Sequence, residues 1–275
     1  MLARVHAAND SETLDAFRCS RCGARALGLR PMHCVMCGRT NSFASAGVEV
    51  AQHRAPWRWA SDVPPEQVER LQLDGLPGVQ HVTGGLVVGS VALLEGARGS
   101  GKSTLGAVLA SASTLGGHAA VYACLEIREE TIRRYLDEQG RECSRVAFTS
   151  EGEISDIAHV VRATRARLCV VDSYKFLAIH GRRATTRSDA ERQVSLALPA
   201  LAAELQCAFV AIVHMRSGDP RKPSCGSAPL QHCDAIFRLS DGVLSCDEKN
   251  RYGPPEHRAR FTRDDAGRMD GGAPC

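Results

Sequence analysis

The chain has 275 residues, 44% of them hydrophobic and 24% charged, with a formal net charge of +3; these values exclude a wholly disordered chain and predict one ordinary domain with a small module. No apolar run approaches the roughly 20 residues that span a bilayer, and residues 1–15 lack the apolar stretch of a secretion signal. We therefore expect a cytoplasmic protein without a membrane partner, in which closely paired cysteines indicate a metal before a disulfide.

The chain divides into five stretches by composition. Residues 1–16 are predicted to be a flexible tail, 17–45 a cysteine-rich module and 46–66 a linker. Residues 67–268 carry the alternating apolar pattern of a larger domain, and 269–275 are predicted to be a second flexible tail.

The cysteine-rich module contains two Cys-x-x-Cys-Gly pairs, formed by Cys19, Cys22, Cys34 and Cys37. Two such turns bring four thiolates to a tetrahedron around Zn²⁺, and so small a segment needs the metal in order to fold. Four sulfur ligands fill the coordination sphere, so we predict a small zinc ribbon with a structural metal. Four free cysteines, or redox-active pairs, are the alternatives.

Apolar strands alternate with long helical segments from residue 87 onward. This alternation predicts an α/β fold, with a mainly parallel sheet and helices on both faces. The late segments 242–246 and 259–263 leave no room for helices and predict an antiparallel edge. Strands are predicted at 87–94, 119–125, 146–148, 168–171, 207–213 and 235–239, and helices at 102–113, 128–139, 154–166 and 190–205.

The segment after the first of these strands fits the phosphate-loop pattern G-x4-G-K-[ST] and opens a helix. Its glycines let backbone N–H groups curl around phosphate oxygens at the helix N-terminus. Lys102 is expected to reach the β- and γ-phosphates of ATP, and the Ser103 hydroxyl to bind Mg²⁺. A glycine-rich turn without nucleotide is the alternative. The predicted nucleotide-binding residues are Gly96, Ala97, Arg98, Gly99, Ser100, Gly101, Lys102, Ser103 and Thr104.

Two later strands end in an acid and one ends in a histidine. Asp172 is predicted to hold Mg²⁺ at the carboxyl edge of the sheet, where ligands of open α/β sheets bind. Glu126 is predicted to polarise the water that attacks the γ-phosphate, and helix capping is its alternative role. His214 either senses the γ-phosphate or is an ordinary histidine at the edge of the core.

Together these features resemble the bacterial RadA (Sms) family of RecA-superfamily ATPases, which act in DNA recombination and repair. The zinc module, which ends in Asn41-Ser-Phe, is similar to a family segment. So is the segment that leads into the phosphate loop, Thr83-Gly-Gly-Leu-Val-Val-Gly-Ser90. The most specific match is Lys249-Asn-Arg-Tyr-Gly253, against the family signature Lys-Asn-Arg-Phe-Gly. The resemblance covers about residues 17–265 and implies a RecA-like P-loop ATPase core.

The resemblance also implies an assembly and partners. Family members form hexameric rings with ATP between neighbours, and Lys249 and Arg251 match the residues that reach the nucleotide of the next subunit. A solvated turn is the alternative for this pair. Single-stranded or branched DNA and a recombinase are the implied partners. Two basic loops, 173–187 and 216–228, are predicted to line a DNA channel, and a solvated face is the alternative. Tyr174 and Phe176 are the residues that could stack on bases. The basic residues of the two loops are Lys175, Arg182, Arg183, Arg187, Arg216, Arg221 and Lys222.

Two readings of the function remain open at this level. The family carries a Lon-protease-like domain after the signature, and we expect a form without it. The first reading is a DNA-dependent ATPase motor acting in recombinational repair. The second is a RecA-fold regulatory ATPase that switches partners without translocating on DNA. A third, a non-catalytic module, is disfavoured because Lys102, Glu126 and Asp172 are all present.

Overall fold

The computed structural model of the protein describes residues 12–27, 30–34, 36–51, 68–179, 186–216, 219–253, 256–262, 264–265 and 268–275. The chain divides into two compact units, Met1–Gln67 and Val68–Cys275. None of the helices in the described ranges is both long and apolar enough to cross a bilayer.

The first unit is a three-stranded antiparallel sheet in the order β2-β1-β3. Its strands are β1 (Glu12–Cys19), β2 (Arg25–Leu27) and β3 (Phe43–Ala51), so the sheet extends beyond 17–45 at both ends. The first cysteine pair spans the end of β1, with Cys19 as its last residue and Cys22 in the turn after it, and the other pair lies between β2 and β3. The buried core of this unit is small, and its members are the four cysteines with Ala24 and Phe43.

The second unit is built on a ten-stranded sheet whose central strands are parallel. The order is β15-β14-β13-β12-β6-β10-β9-β7-β8, with β11 paired to β10, and β4 and β5 form a separate pair. The strands are β4 (Arg70–Leu71), β5 (Leu86–Val87), β6 (Val91–Gly96), β7 (Ala119–Cys124), β8 (Val146–Thr149), β9 (Ala166–Asp172), β10 (Ala208–Arg216), β11 (Asp219–Pro223), β12 (Ala235–Ser240), β13 (Val243–Asn250), β14 (Arg258–Arg260) and β15 (Ala273–Pro274).

Helices cover both faces of this sheet. On one face α1, α2 and α3 pack on strand residues such as Leu94, Tyr122 and Val170. The alternate residues, such as Phe209 and Val171, are also buried and face α4 and α5. Burial on both faces explains why the central strands are continuous apolar runs. The helices are α1 (Pro77–Thr83), α2 (Lys102–Thr114), α3 (Glu129–Glu138), α4 (Ile154–Thr164), α5 (Arg187–Leu205) and α6 (Ser227–His232).

The predicted fold class is confirmed, and β13 and β14 form the expected antiparallel edge. The prediction of one strand over 87–94 is wrong, because a turn separates β5 from β6. Gly89 has a φ of +80°, and the Ser90 hydroxyl donates to the carbonyl of Val87 at 2.7 Å.

The chain end also differs from the expected tail over 269–275. This stretch contains β15, which pairs with β14. Helix α1 and the chain end approach each other closely because both have glycine at the contact: a Cβ added at Gly78 would lie 2.7 Å from the backbone of Gly272.

Candidate functional site

The predicted phosphate loop connects β6 to α2 at the carboxyl edge of the parallel strands. Gly99 and Gly101 have φ of +78° and +96°, a left-handed conformation that glycine adopts without steric cost. Gly96 passes so close to β12 that an added Cβ would lie 2.5 Å from the Leu239 carbonyl. Because α2 begins at Lys102, its first amide groups lack partners within the helix and are available to an anion.

The Lys102 side chain folds back over this loop. Its ammonium donates to the carbonyls of Gly96 at 2.9 Å and Ala97 at 2.6 Å, and the residue is only 3% exposed. Burial lowers the pKa of Lys102, while the charges of Asp172 and Glu126 act in the opposite direction. The ammonium therefore lies in the electrostatic field of both predicted acids.

A pocket of about 520 Å³ opens beside the loop. Lys102 and Ser103 line one side of it, Glu126 and His214 another, and Tyr135 extends the lining along α3. The pocket thus joins the phosphate loop to two of the residues predicted to act on the γ-phosphate.

Asp172 ends β9 and is 1% exposed. Its Oδ2 accepts a hydrogen bond from the Tyr122 hydroxyl at 2.9 Å. Its Oδ1 is buried and has no hydrogen-bond partner among the described residues. A buried carboxylate oxygen without a donor is costly, and a hydrated cation would satisfy it.

Glu126 follows β7 and is held by three side chains. The Ser173 hydroxyl donates to Oε2 at 2.8 Å, His214 Nε2 lies 3.1 Å from the same oxygen, and the Lys175 ammonium donates to Oε1 at 3.1 Å. Burial alone would raise the pKa of Glu126, but hydrogen bonds from Ser173 and Lys175 and the charge of His214 outweigh it, so the pKa is lowered. Glu126 is thus a carboxylate held by three side chains, and the N-cap residue of α3 is Arg128.

The residues at this edge fit Mg²⁺. Ligand atoms of Glu126, Asp172 and His214 lie within 4.8 Å of one another. Mg²⁺ prefers oxygen ligands and retains water, so an imidazole is the least suitable of the three. Asp172, with its unpartnered Oδ1, and Ser103, which lines the pocket, are the oxygen donors that match the sequence prediction.

The four cysteines of the first unit fit Zn²⁺. Their sulfurs lie within 4.8 Å of one another, and all four residues are at most 4% exposed. The Cys19–Cys37 and Cys22–Cys34 sulfur distances are 3.7 and 3.5 Å. A ZnS₄ tetrahedron with bonds of about 2.3 Å has sulfur–sulfur edges of about 3.8 Å, so the thiols are spaced for this metal.

The two cysteine turns have the same backbone hydrogen bonds. Gly23 N–H donates to the Cys19 carbonyl at 2.9 Å, and Gly38 N–H donates to the Cys34 carbonyl at 2.7 Å. Both glycines have positive φ, which explains the Cys-x-x-Cys-Gly repeat. Burial acts to raise the pKa of Cys19, but hydrogen bonds from Ser42 and from backbone N–H groups bring this pKa down to about 6.

Lys249 and Arg251 lie at the other edge of the sheet. The Lys249 ammonium donates to the carbonyls of Leu230 and Gln231, at 3.2 and 2.8 Å. Arg251 pairs with Asp234 at 3.1 Å and is about half exposed. Neither cation lines the pocket within the part of the chain that the structure describes. The signature pair is therefore not brought together with Lys102, Glu126 and Asp172 in one chain.

The two predicted DNA loops are only partly described. Arg182 and Arg183 lie outside the described residues, as do the side chains of Arg216, Arg221 and Lys222. Of the described loop residues, Lys175 binds Glu126, and Arg187 pairs with Glu191. Tyr174 is 3% exposed and donates to the Glu191 carbonyl, so the expectation that it stacks on bases is wrong, whereas Phe176 is 45% exposed.

Sequence reasoning gave no site role to Tyr122, Glu95 or Arg238. Glu95 directly precedes the phosphate loop and is fully buried, and Arg238 of β12 donates to it at 3.1 Å. Burial raises the pKa of Glu95, and Arg238 opposes this. The sequence could have indicated the Glu95–Arg238 pair, because Glu95 is an acid within an apolar strand next to the phosphate loop. It could also have indicated Tyr122, which is the polar side chain of a buried strand.

With the fold and the site described, the chain can be compared with known proteins. A family model described as AAA domain matches residues 43–219, more than half of the chain. The chain therefore belongs to this family of AAA domains.

Among curated proteins the chain is similar to the DNA repair protein RadA of Mycobacterium tuberculosis. It is 26% identical to that protein over 93% of this chain and 56% of the relative, in both strain CDC 1551 / Oshkosh and strain H37Rv. The resemblance to RadA read from the sequence is thus confirmed. The chain spans about half the length of these curated relatives.

Two solved structures show the same RecA-like fold. A KaiC-like protein from Pyrococcus horikoshii OT3 matches with a TM-score of 0.59 and 21% identity, over 74% of this chain and 99% of that one. The second is a DnaB-like replicative helicase from a study of its interactions with primase. It matches with a TM-score of 0.60 and 15% identity, over 73% of this chain and 61% of that one.

Proposed function

We propose that the protein binds ATP in the pocket beside the phosphate loop and hydrolyses it. The observation that carries this proposal is the convergence of Lys102, Glu126 and Asp172 at the carboxyl edge of the sheet. The three residues are far apart in sequence and belong to different elements. Their meeting point is where ligands of open α/β sheets bind.

Each residue has a role that its environment supports. Lys102 would exchange its contacts with the Gly96 and Ala97 carbonyls for the β- and γ-phosphate oxygens. Glu126, ionised at neutral pH because its pKa is lowered, would accept the proton of the attacking water. Ser103 and Asp172 would hold Mg²⁺, which when bound supplies positive charge against the phosphates. Loop amides from Gly96 to Thr104 would cradle the phosphates.

Lys249 and Arg251 are proposed to act on ATP bound by a neighbouring copy, in a ring of six. Arg251 N–H donates to the Asp234 carbonyl, and Asp234 N–H donates to the carbonyl of Val91, the first residue of β6. The phosphate loop starts at the far end of β6, about 17 Å away at strand geometry. The signature cations are thus well separated from the pocket of their own chain, which favours action on another.

DNA is the polymer that we propose for this motor. The relative from Mycobacterium tuberculosis is named a DNA repair protein, and both loops proposed to contact single-stranded or branched DNA are basic. Cationic loops track a phosphate backbone, and Phe176 offers an exposed ring for base stacking. The proposed context is recombinational repair, with a recombinase as a further partner. We also propose that Cys19, Cys22, Cys34 and Cys37 hold a structural Zn²⁺.

A regulatory ATPase that does not move along DNA is the second candidate. One observation favours it: both carboxylate oxygens of Glu126 are engaged, by Lys175 on one side and by Ser173 and His214 on the other. A base occupied in this way suits slow hydrolysis and a long-lived ATP state.

Phosphate release from ATP tests the proposal. Glu126→Gln should lower kcat on the order of 10²- to 10⁴-fold, because it removes a general base, while binding of a fluorescent ATP analogue persists. The matched control is Glu204→Gln, which changes an acid that pairs with Arg162 on the opposite face of the sheet and should leave kcat unchanged. Wild-type kcat in Glu126→Gln would refute the assignment. Stimulation of the wild type by single-stranded DNA favours the motor, and its absence favours the switch.

A further inference from the structure

Tyr122 bridges the two residues proposed to hold the metal. It lies in β7 and is fully buried against α2. Its hydroxyl lies 2.9 Å from Asp172 Oδ2 and 3.3 Å from the main-chain oxygen of Ser103. A carboxylate and a carbonyl only accept hydrogen bonds, so the phenol is the sole donor in this group.

The fold places the phenol there through the register of β7 and β9. β7 and β9 are parallel, with Tyr122 opposite Val170 and Cys124 opposite Asp172, so Tyr122 and Asp172 share the face that packs on α2. Gly106 of α2 faces the same side chains: an added Cβ would lie 3.1 Å from Val170 and 3.3 Å from Ile212, which is tight, and 3.4 Å from the phenol oxygen, which is ordinary contact. Glycine inside a helix is unfavourable by about 1 kcal/mol relative to alanine, so its presence at this contact calls for a steric reason.

We propose that Tyr122 is a positioning residue for the metal side of the ATP site: its hydroxyl holds Asp172 Oδ2, so that Oδ1 alone is presented to the cation, at a fixed spacing from Ser103. This inference rests on the proposed function, because Ser103 and Asp172 are proposed there as the Mg²⁺ contacts. The unpartnered, buried Oδ1 is the independent sign that one oxygen is reserved for a ligand.

Loss of the phenol oxygen would act through Asp172. The carboxylate would have two unpartnered oxygens in a buried site and could rotate about its Cβ–Cγ bond. Partners that orient a metal ligand in this way change metal affinity by about 10- to 100-fold when they are removed. The effect should therefore be seen in metal binding and not in the binding of nucleotide alone.

The test is Tyr122→Phe, which removes one oxygen atom. Mn²⁺, in place of Mg²⁺, is titrated into the 275-residue chain with ADP, and free Mn²⁺ is measured by electron paramagnetic resonance. We expect about 10- to 100-fold weaker Mn²⁺ binding, with unchanged affinity for a fluorescent ADP analogue in EDTA. The control is Tyr174→Phe, which removes a buried hydroxyl bonded to the Glu191 carbonyl and should leave Mn²⁺ affinity intact.

The outcomes separate this inference from the proposed function. Wild-type Mn²⁺ affinity in Tyr122→Phe overturns the positioning role while the ATP site stands. A wild-type protein that binds no Mn²⁺ with ADP overturns both. If Tyr122→Phe does not fold, ¹³Cζ-tyrosine NMR of the wild type decides, with the four tyrosines assigned through the remaining Tyr→Phe variants. The Tyr122 resonance should then shift when Mg²⁺ is added to the ADP complex, and a resonance that does not move overturns the inference.

Discussion

The backbone N–H of Glu126 donates to the main-chain oxygen of Asp172 at 2.9 Å, and the N–H of Leu125 donates to the same oxygen at 2.8 Å. These bonds continue the pairing of β7 with β9 for one step beyond the strand ends. The two acids, 46 positions apart in sequence, are therefore fixed at the same height on the sheet edge. Whatever moves the end of one strand moves both carboxylates.

Lys175→Met should change the pH dependence of hydrolysis. Lys175 donates to Glu126 and helps to keep its pKa low, so removing the ammonium raises that pKa. A base must be deprotonated to act, and the acid limb of the kcat profile should therefore move to higher pH. The measurement is kcat against pH for wild type and variant.

Arg187→Met is the control for the Lys175 variant. Arg187 is a cation near the same loop that pairs with Glu191, away from Glu126. The acid limb of the kcat profile of Arg187→Met should coincide with that of the wild type. A Lys175→Met profile that also coincides with the wild type would show that this contact does not tune the base.

Arg251→Ala should lower turnover without disturbing the protomer. Its ion pair with Asp234 is more than half exposed on the arginine side, so its loss should cost at most about 1 kcal/mol of unfolding free energy. Nucleotide affinity of the isolated protomer should stay near the wild-type value. The measurements are a thermal melt, nucleotide titration and phosphate release.

Mixing Lys102→Ala, which should have lost turnover, with Arg251→Ala, which should have reduced turnover, tests action between copies. Lys102→Ala retains Arg251 but loses the phosphate-loop lysine, and Arg251→Ala has the reverse defect. An interface is complete where the Arg251→Ala copy supplies the phosphate loop and the Lys102→Ala copy supplies Arg251, so a mixture should regain part of the turnover. No recovery at any ratio would contradict a cation supplied by a neighbour.

Arg238→Met should destabilise the second unit in a pH-dependent way. Arg238 is the partner of Glu95, which is fully buried beside the phosphate loop. An unpaired buried carboxylate costs about 3 kcal/mol or more. Burial raises the pKa of Glu95 in the folded state, so stability is retained at low pH and lost as pH rises through that folded pKa.

Thermal melts at pH 5 and pH 8 measure this effect. The melting temperature of Arg238→Met should fall below wild type by more at pH 8 than at pH 5. Arg133→Met removes an exposed pair with Asp137 on α3 and should cause little change at either pH. An equal drop at both pH values would mean that lost packing, and not the charge of Glu95, sets the cost.

Cys19→Ser should release zinc and unfold the first unit alone. The small buried core of that unit consists mostly of the four cysteines, so the metal supplies much of its folding free energy. The measurement is zinc per chain by plasma mass spectrometry, together with the thermal transition of the second unit, which should persist. Cys275→Ser changes an exposed cysteine and should retain one zinc. Stoichiometric zinc in Cys19→Ser would refute the four-sulfur site.

Local signals made much of the site predictable. The phosphate loop depends on glycines at fixed spacing, and its required positive φ values at Gly99 and Gly101 are intrinsic to glycine. Asp172 and Glu126 were predictable because parallel strands end at one edge of a sheet. The cluster of four cysteines was predictable because each Cys-x-x-Cys-Gly turn is complete within five residues, as in Cys19 to Gly23.

Contacts that depend on register were not predictable. The Tyr122–Asp172 hydrogen bond requires the pairing of β7 with β9, which no local sequence pattern specifies. Lys175 read as a DNA contact because it is basic and follows a strand. The short 3₁₀ helix Tyr174–Phe176 instead directs Lys175 to Glu126. The break at Gly89 was hidden within an apolar run.

The phosphate loop follows the carboxyl end of β6, whereas Arg251 lies beside the first residue of that strand and Lys249 lies level with Leu93. This separation has a consequence for the rate law. A chain in which these groups sit at opposite edges cannot complete the set by any side-chain rotation. If they act in hydrolysis as proposed, their contribution vanishes on dilution, when copies part, and returns as protein concentration rises. If the specific activity stays the same from concentrations above the assembly threshold to concentrations far below it, the two cations take no part in the reaction.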